Sequence, residues 1–236
     1  MTATGTFYGL GVGPGDPDLI TVKALKTLRA VPVVAYPAPS DGDSLARSIV
    51  APHMTEGQIE IAIRIPIMAQ SFPDRDVYDR AAAEIAGHLA AGRDVAAICE
   101  GDPFFYGSFM YLFERVVADY PVEVVPGVSS IMACSAALGA PLAARNDVLC
   151  IIPAPLEEAE LKSRLERTDA AAIIKIGRHF AKVRRVLGRL GMTGRARYVE
   201  HATMTSQRIM ALDEVDEASA PYFSMVLVHQ RGEAWR

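Results

Sequence analysis

One stretch decides the fold of this chain: Val95-Ala96-Ala97-Ile98-Cys99-Glu100-Gly101-Asp102-Pro103-Phe104-Phe105-Tyr106-Gly107. Its first five residues are all apolar, which is typical of a strand buried on both faces of a parallel sheet. The apolar run ends in two acids, a glycine and a proline, which cannot continue a buried strand. Apolar side chains then recur at helical spacing from Phe109 to Tyr120. The stretch therefore predicts a strand, a tight acidic loop and a helix.

The acidic loop, residues 100–103, supports two interpretations. Ligands of open α/β sheets bind at the carboxyl ends of strands, and this loop follows such an end, with three aromatic residues behind it. The loop is also typical of an ordinary turn in which Asp102 caps the next helix and Pro103 occupies its first position. Taken alone, the loop favours the turn. The other motifs of the chain shift the balance toward a ligand site.

Alternation of strands and helices extends along the chain in both directions from this stretch. Strands are predicted at Phe7–Val12, Val33–Tyr36, Ile59–Ile65, Val95–Cys99, Val122–Val125, Val148–Ile152, Ala171–Ile176 and Arg195–Val199. Two later strands, Gln207–Leu212 and Phe223–His229, have no helix between them, which predicts an antiparallel pair. We therefore expect an α/β fold with two α/β domains, residues 1–120 and 121–236, and a hinge near residues 119–125.

The composition limits the partners of the protein. Half of the 236 residues are hydrophobic and 22% are charged, which is enough to build a large core. A net charge of −4 gives no argument for a nucleic-acid partner, and no apolar run approaches the roughly 18 residues that span a bilayer. The three cysteines lie far apart and the five histidines have no ligand spacing, so we expect no metal site. The expected location is the reducing cytoplasm, with no membrane association.

A glycine-rich segment, residues 9–16, begins within the first predicted strand and continues into the loop after it, which invites comparison with nucleotide sites. A P-loop would end in Gly-Lys-Ser/Thr, whereas here Gly15 is followed by Asp16 and Pro17. A dinucleotide site, like that of the common Rossmann-type methyltransferases, needs an acid at the end of the second strand, which instead ends in Ala35-Tyr36-Pro37. The loop is either a tight turn required for packing or part of a different kind of ligand site.

Three motifs stand in order along the chain: residues 11–21, residues 100–106 and residues 125–130. Their combination resembles the tetrapyrrole methylase family, the class III S-adenosylmethionine-dependent methyltransferases, over nearly the whole chain. Further stretches resemble the branch of that family that acts in cobalamin biosynthesis, namely Val34–Pro37, Cys99–Ser108 and Asp147–Ala154. The resemblance implies the tetrapyrrole methylase fold, in which two α/β domains hold the cofactor in an interdomain cleft, and usually a homodimer.

The resemblance also implies the ligands and the residues that bind them. S-adenosyl-L-methionine is the expected methyl donor, S-adenosyl-L-homocysteine the product, and a small-molecule tetrapyrrole the acceptor. The donor-binding positions carried over by motif are Pro14, Glu100, Gly101, Asp102, Phe105, Tyr106, Ser129, Ser130, Ile176, Gly177 and Ala202. This donor has no phosphates, which agrees with a glycine loop that lacks a lysine. Backbone groups and serine hydroxyls suit its carboxylate and ribose, and apolar side chains suit its adenine.

The chemistry of methyl transfer sets what the site must supply. The donor is already activated, so alignment and exclusion of water supply much of the catalysis and no metal is required. The acceptor carbon loses a proton, for which the candidate general bases are Glu100, Asp102, Tyr106 and His201. For each of these residues, positioning a ligand or capping a helix is favoured over acting as the base. The carboxylates of the acceptor call for cations, for which the candidates near loop ends are Arg64, Arg75, Arg80, Arg145 and Arg178.

Two alternative functions stay open at this point. Another member of the same family would methylate uroporphyrinogen, a different corrin intermediate, a diphthamide precursor or ribosomal RNA, although a net charge of −4 does not favour RNA. A non-catalytic module would bind a tetrapyrrole or nucleoside and pass it on. Turnover separates the last alternative from the others, because a module never forms S-adenosylhomocysteine.

Overall fold

A computed structural model describes residues 4–66 and 75–230 of the chain. The chain divides into two compact units, Met1–Ser129 and Ser130–Arg236, each with its own five-stranded sheet and helices. The predicted α/β class with two α/β units is therefore confirmed.

The first unit contains a wholly parallel sheet in the strand order β3-β2-β4-β1-β5. Its strands are β1 Phe7–Gly11, β2 Val33–Pro39, β3 Ile59–Ile65, β4 Val95–Cys99 and β5 Val122–Val125. Its helices are α1 Val22–Ala30, α2 Leu45–Val50, α3 Arg75–Ala90 and α4 Phe109–Val116.

Helices cover both faces of this first sheet. Along β4, Val95 and Ala97 pack with α3 and α4, whereas Ala96 and Ile98 pack with α1 and α2. Every side chain of β4 is buried as a result. This placement explains why the strand appears in the sequence as an unbroken apolar run.

Strand β5 belongs to the first unit, although the sequence suggested that the second domain begins at residue 121. In β5, Val122 lies opposite Phe7 of β1 in a parallel register. The observed division falls after Ser129, because β5 must pair with β1 to complete the first sheet. The segment expected to be a hinge therefore contains an edge strand.

The second unit contains a mixed sheet in the order β6-β7-β10-β8-β9. Its strands are β6 Leu149–Pro153, β7 Ala170–Ile174, β8 Ala196–Glu200, β9 Arg208–Met210 and β10 Ser224–His229. Its helices are α5 Ser130–Leu138, α6 Glu158–Glu166 and α7 Phe180–Arg189. Helices α6 and α7 cover one face and α5 covers the other.

The last two strands do not pair with each other, so that part of the prediction is wrong. Strand β10 lies between β7 and β8 and is antiparallel to both, while β9 pairs with the far side of β8. All six residues of β10 are buried, which requires neighbours on both sides. Two of the three residues of β9 are exposed, which suits a short edge strand.

Crossing a bilayer demands a long apolar helix, and none of the helices within the described residues meets that demand.

Candidate functional site

The centre of the first sheet has the topology of a ligand site. Strands β1 and β4 are neighbours, but the chain leaves β1 for α1 on one face and leaves β4 for α4 on the other. Such a divergence is a topological switch point, and open parallel sheets bind ligands there, outside the carboxyl ends of the strands. The glycine-rich loop follows β1 and the acidic loop follows β4. The fold therefore places two of the three motifs on either side of this point.

The three motifs meet through the backbones of their glycines. Gly101 donates its N–H to the carbonyl of Gly13 at 2.7 Å, in an isolated antiparallel bridge. A Cβ atom on Gly127 would lie 2.0 Å from the carbonyl oxygen of Gly101, and one on Gly11 would lie 2.5 Å from the nitrogen of Gly127. Only glycine permits this approach of three chain segments. The motifs are far apart in sequence but form one backbone cluster.

The carboxylate of Asp102 ties the second motif to the third. Its Oδ1 accepts the N–H of Phe104 at 2.9 Å, and its Oδ2 accepts the N–H of Gly127 at 3.0 Å. Helix α4 begins only at Phe109, after Ser108 as its N-cap residue. The interpretation of Asp102 as the helix cap, with Pro103 at the first helical position, is therefore wrong, because five further residues separate the acidic loop from the helix.

The side chain of Glu100 connects the acidic loop to a different helix. Its Oε1 accepts the N–H of Ala46, near the start of α2, at 3.1 Å. The side chain is partly buried, and removal from water raises the pKa of the carboxyl above its ordinary value despite bonds from backbone N–H groups. A carboxyl shifted in this direction is closer to the pKa that proton transfer near neutral pH requires. Nothing in the sequence indicated the partner Ala46.

Three aromatic side chains after the acidic loop remain substantially exposed: Phe104 at 49%, Phe105 at 37% and Tyr106 at 47%. The ring of Phe104 packs edge to face against that of Phe113 in α4, with ring centroids 5.1 Å apart. The rings of Phe105 and Tyr106 pack edge to face against each other, with centroids 5.2 Å apart. Tyr106 has a φ of 57°, which is a left-handed conformation that a bulky residue adopts only under constraint. Such constrained residues cluster at ligand sites.

The other predicted residues of the first unit lie on the same loops. Pro14 is buried and directly follows the bridged Gly13. Ser129 is partly exposed and lies two residues after Gly127, at the carboxyl end of β5. Ser130, which is exposed, is the first residue of α5 and the first residue of the second unit. The structure therefore brings the first-unit candidates together after three adjacent strands.

Within the second unit, the predicted residues lie at one edge of the sheet. Ile176 and Gly177 follow β7, and Ala202 follows β8; both strands are antiparallel to β10, so their carboxyl ends share an edge. The side chains of Ile176 and Ala202 are buried in the core, so a ligand here would contact backbone atoms. The loops include left-handed non-glycine residues, namely Lys175, His201 and Thr203. Backbone constraint therefore marks this edge as well.

The candidate arginines have different environments. Arg64 donates from Nη1 to the carbonyls of Pro39 at 3.0 Å and Gly42 at 2.9 Å, so it holds the loop after β2. The remaining candidates are exposed: Arg75, Arg80, Arg145 and Arg178.

In the described part of the chain, no three His, Cys, Asp or Glu side chains are grouped as metal ligands would be.

Comparison with known proteins adds to this geometry. Residues 6–216 match the family model described as Tetrapyrrole (Corrin/Porphyrin) Methylases. The chain is 42% identical over 236 residues to the "Cobalamin biosynthesis protein CobIJ" of Mycobacterium tuberculosis, covering 97% of this chain and 46% of that protein. It therefore spans about half the length of that relative.

Two further relatives match over almost their whole length. The "Precorrin-2 C(20)-methyltransferase" of Sinorhizobium is 41% identical over 232 residues, with 95% of each chain covered. The "Cobalt-precorrin-2 C(20)-methyltransferase" of Salmonella typhimurium is 32% identical over 232 residues, with 97% of this chain and 98% of that protein covered.

Among solved structures, "a cobalamin biosynthetic enzyme, cobalt precorrin-4 methyltransferase, CbiF" superposes with a TM-score of 0.76 at 25% identity, over 98% of this chain and 96% of that one. The expected fold is confirmed.

Proposed function

Because this chain belongs to the tetrapyrrole methylase family, we propose that it transfers the methyl group of S-adenosyl-L-methionine to C-20 of precorrin-2, giving precorrin-3A in cobalamin biosynthesis. The observation that carries the proposal is the identity of 41% to the Sinorhizobium enzyme over 95% of both chains. That relative and this chain align over nearly their whole lengths, so we extend its named activity to this chain.

The loops at the switch point suit the proposed donor. S-adenosylmethionine carries an ammonium, a carboxylate and ribose hydroxyls but no phosphate, so it needs small donors and acceptors rather than a lysine. Backbone groups around Pro14 and residues 100–102, with the hydroxyl of Ser129, supply them. We propose that the aromatic rings of Phe105 and Tyr106 contact the donor. Ser130, Ile176, Gly177 and Ala202 are the second-unit positions that we propose for donor binding.

The transfer itself is an in-line displacement. The bond between the methyl carbon and sulfur breaks as the bond between that carbon and C-20 forms. The sulfonium becomes the neutral thioether of S-adenosyl-L-homocysteine, and C-20 then releases its proton, so charge and atoms balance. The main contribution of the protein is to hold C-20 in line with the bond between the methyl carbon and sulfur, because the leaving group is already activated.

Of the four candidate bases, we propose Glu100, Asp102 and Tyr106 as catalytic residues with different roles. Both oxygens of Asp102 accept backbone N–H groups, so we assign it to positioning the loop. Glu100 has the raised pKa of a desolvated carboxyl, so we assign to it the acceptance of the C-20 proton. We assign Tyr106 to ring contact with the ligands.

The substrate that we propose is the cobalt-free one, because the relative named for precorrin-2 is 41% identical and the relative named for cobalt-precorrin-2 is 32% identical. Cobalt-precorrin-2 and uroporphyrinogen III are the alternative acceptors. We further propose that the protein works in the cytoplasm as a homodimer, as expected for the family. Sedimentation of the purified protein tests the dimer.

Anaerobic incubation with S-adenosylmethionine and enzymatically made precorrin-2 tests the activity. Mass spectrometry counts the methyl groups added, and NMR with a labelled methyl group locates them. One methyl group at C-20 is the expected result. Turnover only on the cobalt-containing acceptor or on uroporphyrinogen would overturn the substrate. Donor binding without turnover on any acceptor would instead favour the non-catalytic binding module.

A further inference from the structure

The turn between β7 and α7 concentrates positive charge. Arg178 and His179 belong to the short 3-10 turn there, and their Nε and Nε2 atoms lie 3.5 Å apart. Lys182 follows in the first turn of α7. Burial and the nearby charges of Lys182 and Arg178 lower the pKa of His179 below its ordinary value. The three side chains therefore share one electrostatic environment, which we call the cationic turn.

The cationic turn opposes the preference of the helix that it begins. The N-terminus of a helix carries partial positive charge and favours acidic residues. Helix α7 has no acidic residue in its first turn, and the side chain of its N-cap residue, His179, makes no capping bond. Helix α6 is ordinary in this respect, with Glu158 and Glu160 in its first turn. A bound anion would relieve the repulsion at the start of α7.

The other cations of α7 are neutralised. Arg185 pairs with Glu158 at 2.8 Å, Arg189 pairs with the same carboxylate, and Arg184 pairs with Glu217. By contrast, no carboxylate of a described residue lies within 4.0 Å of a nitrogen of the cationic turn. The cations at the start of α7 therefore have no carboxylate partner among the described residues, whereas the later ones do.

The position of the cationic turn is fixed by the fold. It directly follows Gly177 at the carboxyl end of β7. The Nζ of Lys182 donates to the carbonyl of Leu156, in the loop after β6, at 2.5 Å. This bond holds the ammonium group at the same edge of the sheet as Arg178. The ammonium group of Lys182 is therefore tethered to the loop after β6, close to the turn that carries Arg178.

We propose that the cationic turn binds carboxylate groups of the tetrapyrrole acceptor. The inference rests on the proposed function, because that acceptor carries many carboxylates. Arginine binds a carboxylate through two parallel hydrogen bonds, and lysine adds a single one. The methyl donor also has a carboxylate, but its own ammonium group accompanies it and it gives no reason for several cations. The residues of the turn would then set the affinity for the acceptor rather than the rate of transfer.

Single and double variants test this assignment: Arg178→Gln, Lys182→Gln and both together, with Arg189→Gln as the matched control. The control removes one cation of the same helix that already has a carboxylate partner. We expect the double variant to raise KM for precorrin-2 by about 10- to 100-fold, the range for losing hydrogen bonds to charged groups. We expect kcat and the Kd of the donor, measured by calorimetry, to stay within about twofold, and the control to leave all three values unchanged.

Two further measurements keep the assignment distinct from the proposed function. Titration of wild type and double variant with precorrin-2 in the presence of S-adenosylhomocysteine measures acceptor binding without turnover. The difference in affinity between the two proteins reports the contribution of the cationic turn, independently of which acceptor the wild type methylates. Weaker binding by the double variant supports the proposal. The thermal midpoint of Arg178→Gln, which keeps the bond between Lys182 and Leu156, should equal or exceed that of the wild type, because repulsion at the helix start is reduced.

Three results would overturn the assignment. Unchanged KM and unchanged acceptor binding in the double variant would show that the cationic turn does not bind the acceptor, while leaving the proposed function intact. A weaker donor Kd with unchanged acceptor binding would assign the turn to the carboxylate of the donor. An equal loss of acceptor affinity in Arg189→Gln would mean that only the overall charge of the helix matters.

Discussion

The Oδ2 atom of Asp102 accepts the backbone N–H of Gly127 at 3.0 Å, and this hydrogen bond joins two motifs that lie 25 residues apart in the chain. The second oxygen of the same carboxylate accepts the N–H of Phe104. One side chain therefore sets both the shape of the acidic loop and its distance from the loop after β5.

Replacing Asp102 with Asn should separate these two loops. The amide has one acceptor oxygen where the carboxylate has two, so one of the two N–H groups loses its partner. We expect unfolding free energy to fall by about 1–3 kcal/mol and kcat to fall about 100-fold through misalignment. Urea denaturation and the methyl-transfer assay measure the two effects.

Asp216→Asn is the matched control, because the Oδ1 of Asp216 likewise accepts an N–H two residues on, from Ala218, in an exposed turn that contains none of the three motifs. It should change unfolding free energy by no more than about 0.5 kcal/mol. If Asp102→Asn behaves like Asp216→Asn, the linking role of Asp102 is wrong.

The glycine cluster predicts a strong effect of a single methyl group. In Gly127→Ala the new Cβ would lie 2.0 Å from the carbonyl oxygen of Gly101, so the backbones must move apart. We expect the unfolding free energy to fall by at least about 1–3 kcal/mol. We also expect the affinity for the donor to be at least about tenfold weaker. Calorimetry with S-adenosylhomocysteine measures that affinity.

Gly87→Ala provides the comparison. Gly87 lies within α3, and a Cβ there would meet nothing within 4 Å, so this change should stabilise the protein by about 0.5–1 kcal/mol. Wild-type donor affinity in Gly127→Ala would show that the close approach of the glycines is not needed for binding.

The raised pKa of Glu100 gives stability a definite dependence on pH. The folded state holds the proton of this carboxyl more tightly than the unfolded state does. Its contribution is therefore fully present below the ordinary glutamate pKa of 4.5 and is lost as pH rises toward the folded value. In Glu100→Gln this loss should disappear, so the difference in stability between variant and wild type should move in favour of the variant as pH rises. Urea melts of both proteins between pH 4 and 7 measure it.

The same position separates structural from chemical roles. Glu100→Gln keeps an oxygen that accepts the N–H of Ala46, whereas Glu100→Ala removes it and should cost about 1–3 kcal/mol. If Glu100 accepts the C-20 proton, Glu100→Gln should fold normally but lower kcat by about 100- to 10,000-fold. Near-wild-type kcat in Glu100→Gln would exclude Glu100 as the base.

Tyr106 should act through its ring. Tyr106→Phe keeps the edge-to-face contact with Phe105 and should retain kcat within about threefold, whereas Tyr106→Ala should raise the KM of the donor about tenfold or more. Initial rates at varied donor concentration distinguish the two. A loss of kcat in Tyr106→Phe as large as that expected for a missing base would transfer that role to the phenol.

The sequence predicted those parts of the fold that local pattern determines. Strand β4 could be located because burial on both faces demands an unbroken apolar run. The place of β10 could not be predicted, because pairing with β7 and β8 depends on contacts between distant segments. The sequence likewise offered Glu100 and Asp102 as candidate site residues, which stays a prediction, but it gave no sign of their partners Ala46 and Gly127. Hydrogen bonds between loops leave no periodic signal.

The central position of β10 has a consequence for synthesis on the ribosome. The first sheet is complete once Val125 has emerged, so its five strands can assemble while later residues are still being added. The second sheet cannot close in this way, because the strand between β7 and β8 is the last of the five to be made. Until residues 224–229 emerge, β7 and β8 each expose an unpaired edge. A ribosome that stalls shortly before this point would leave one finished unit attached to an aggregation-prone one.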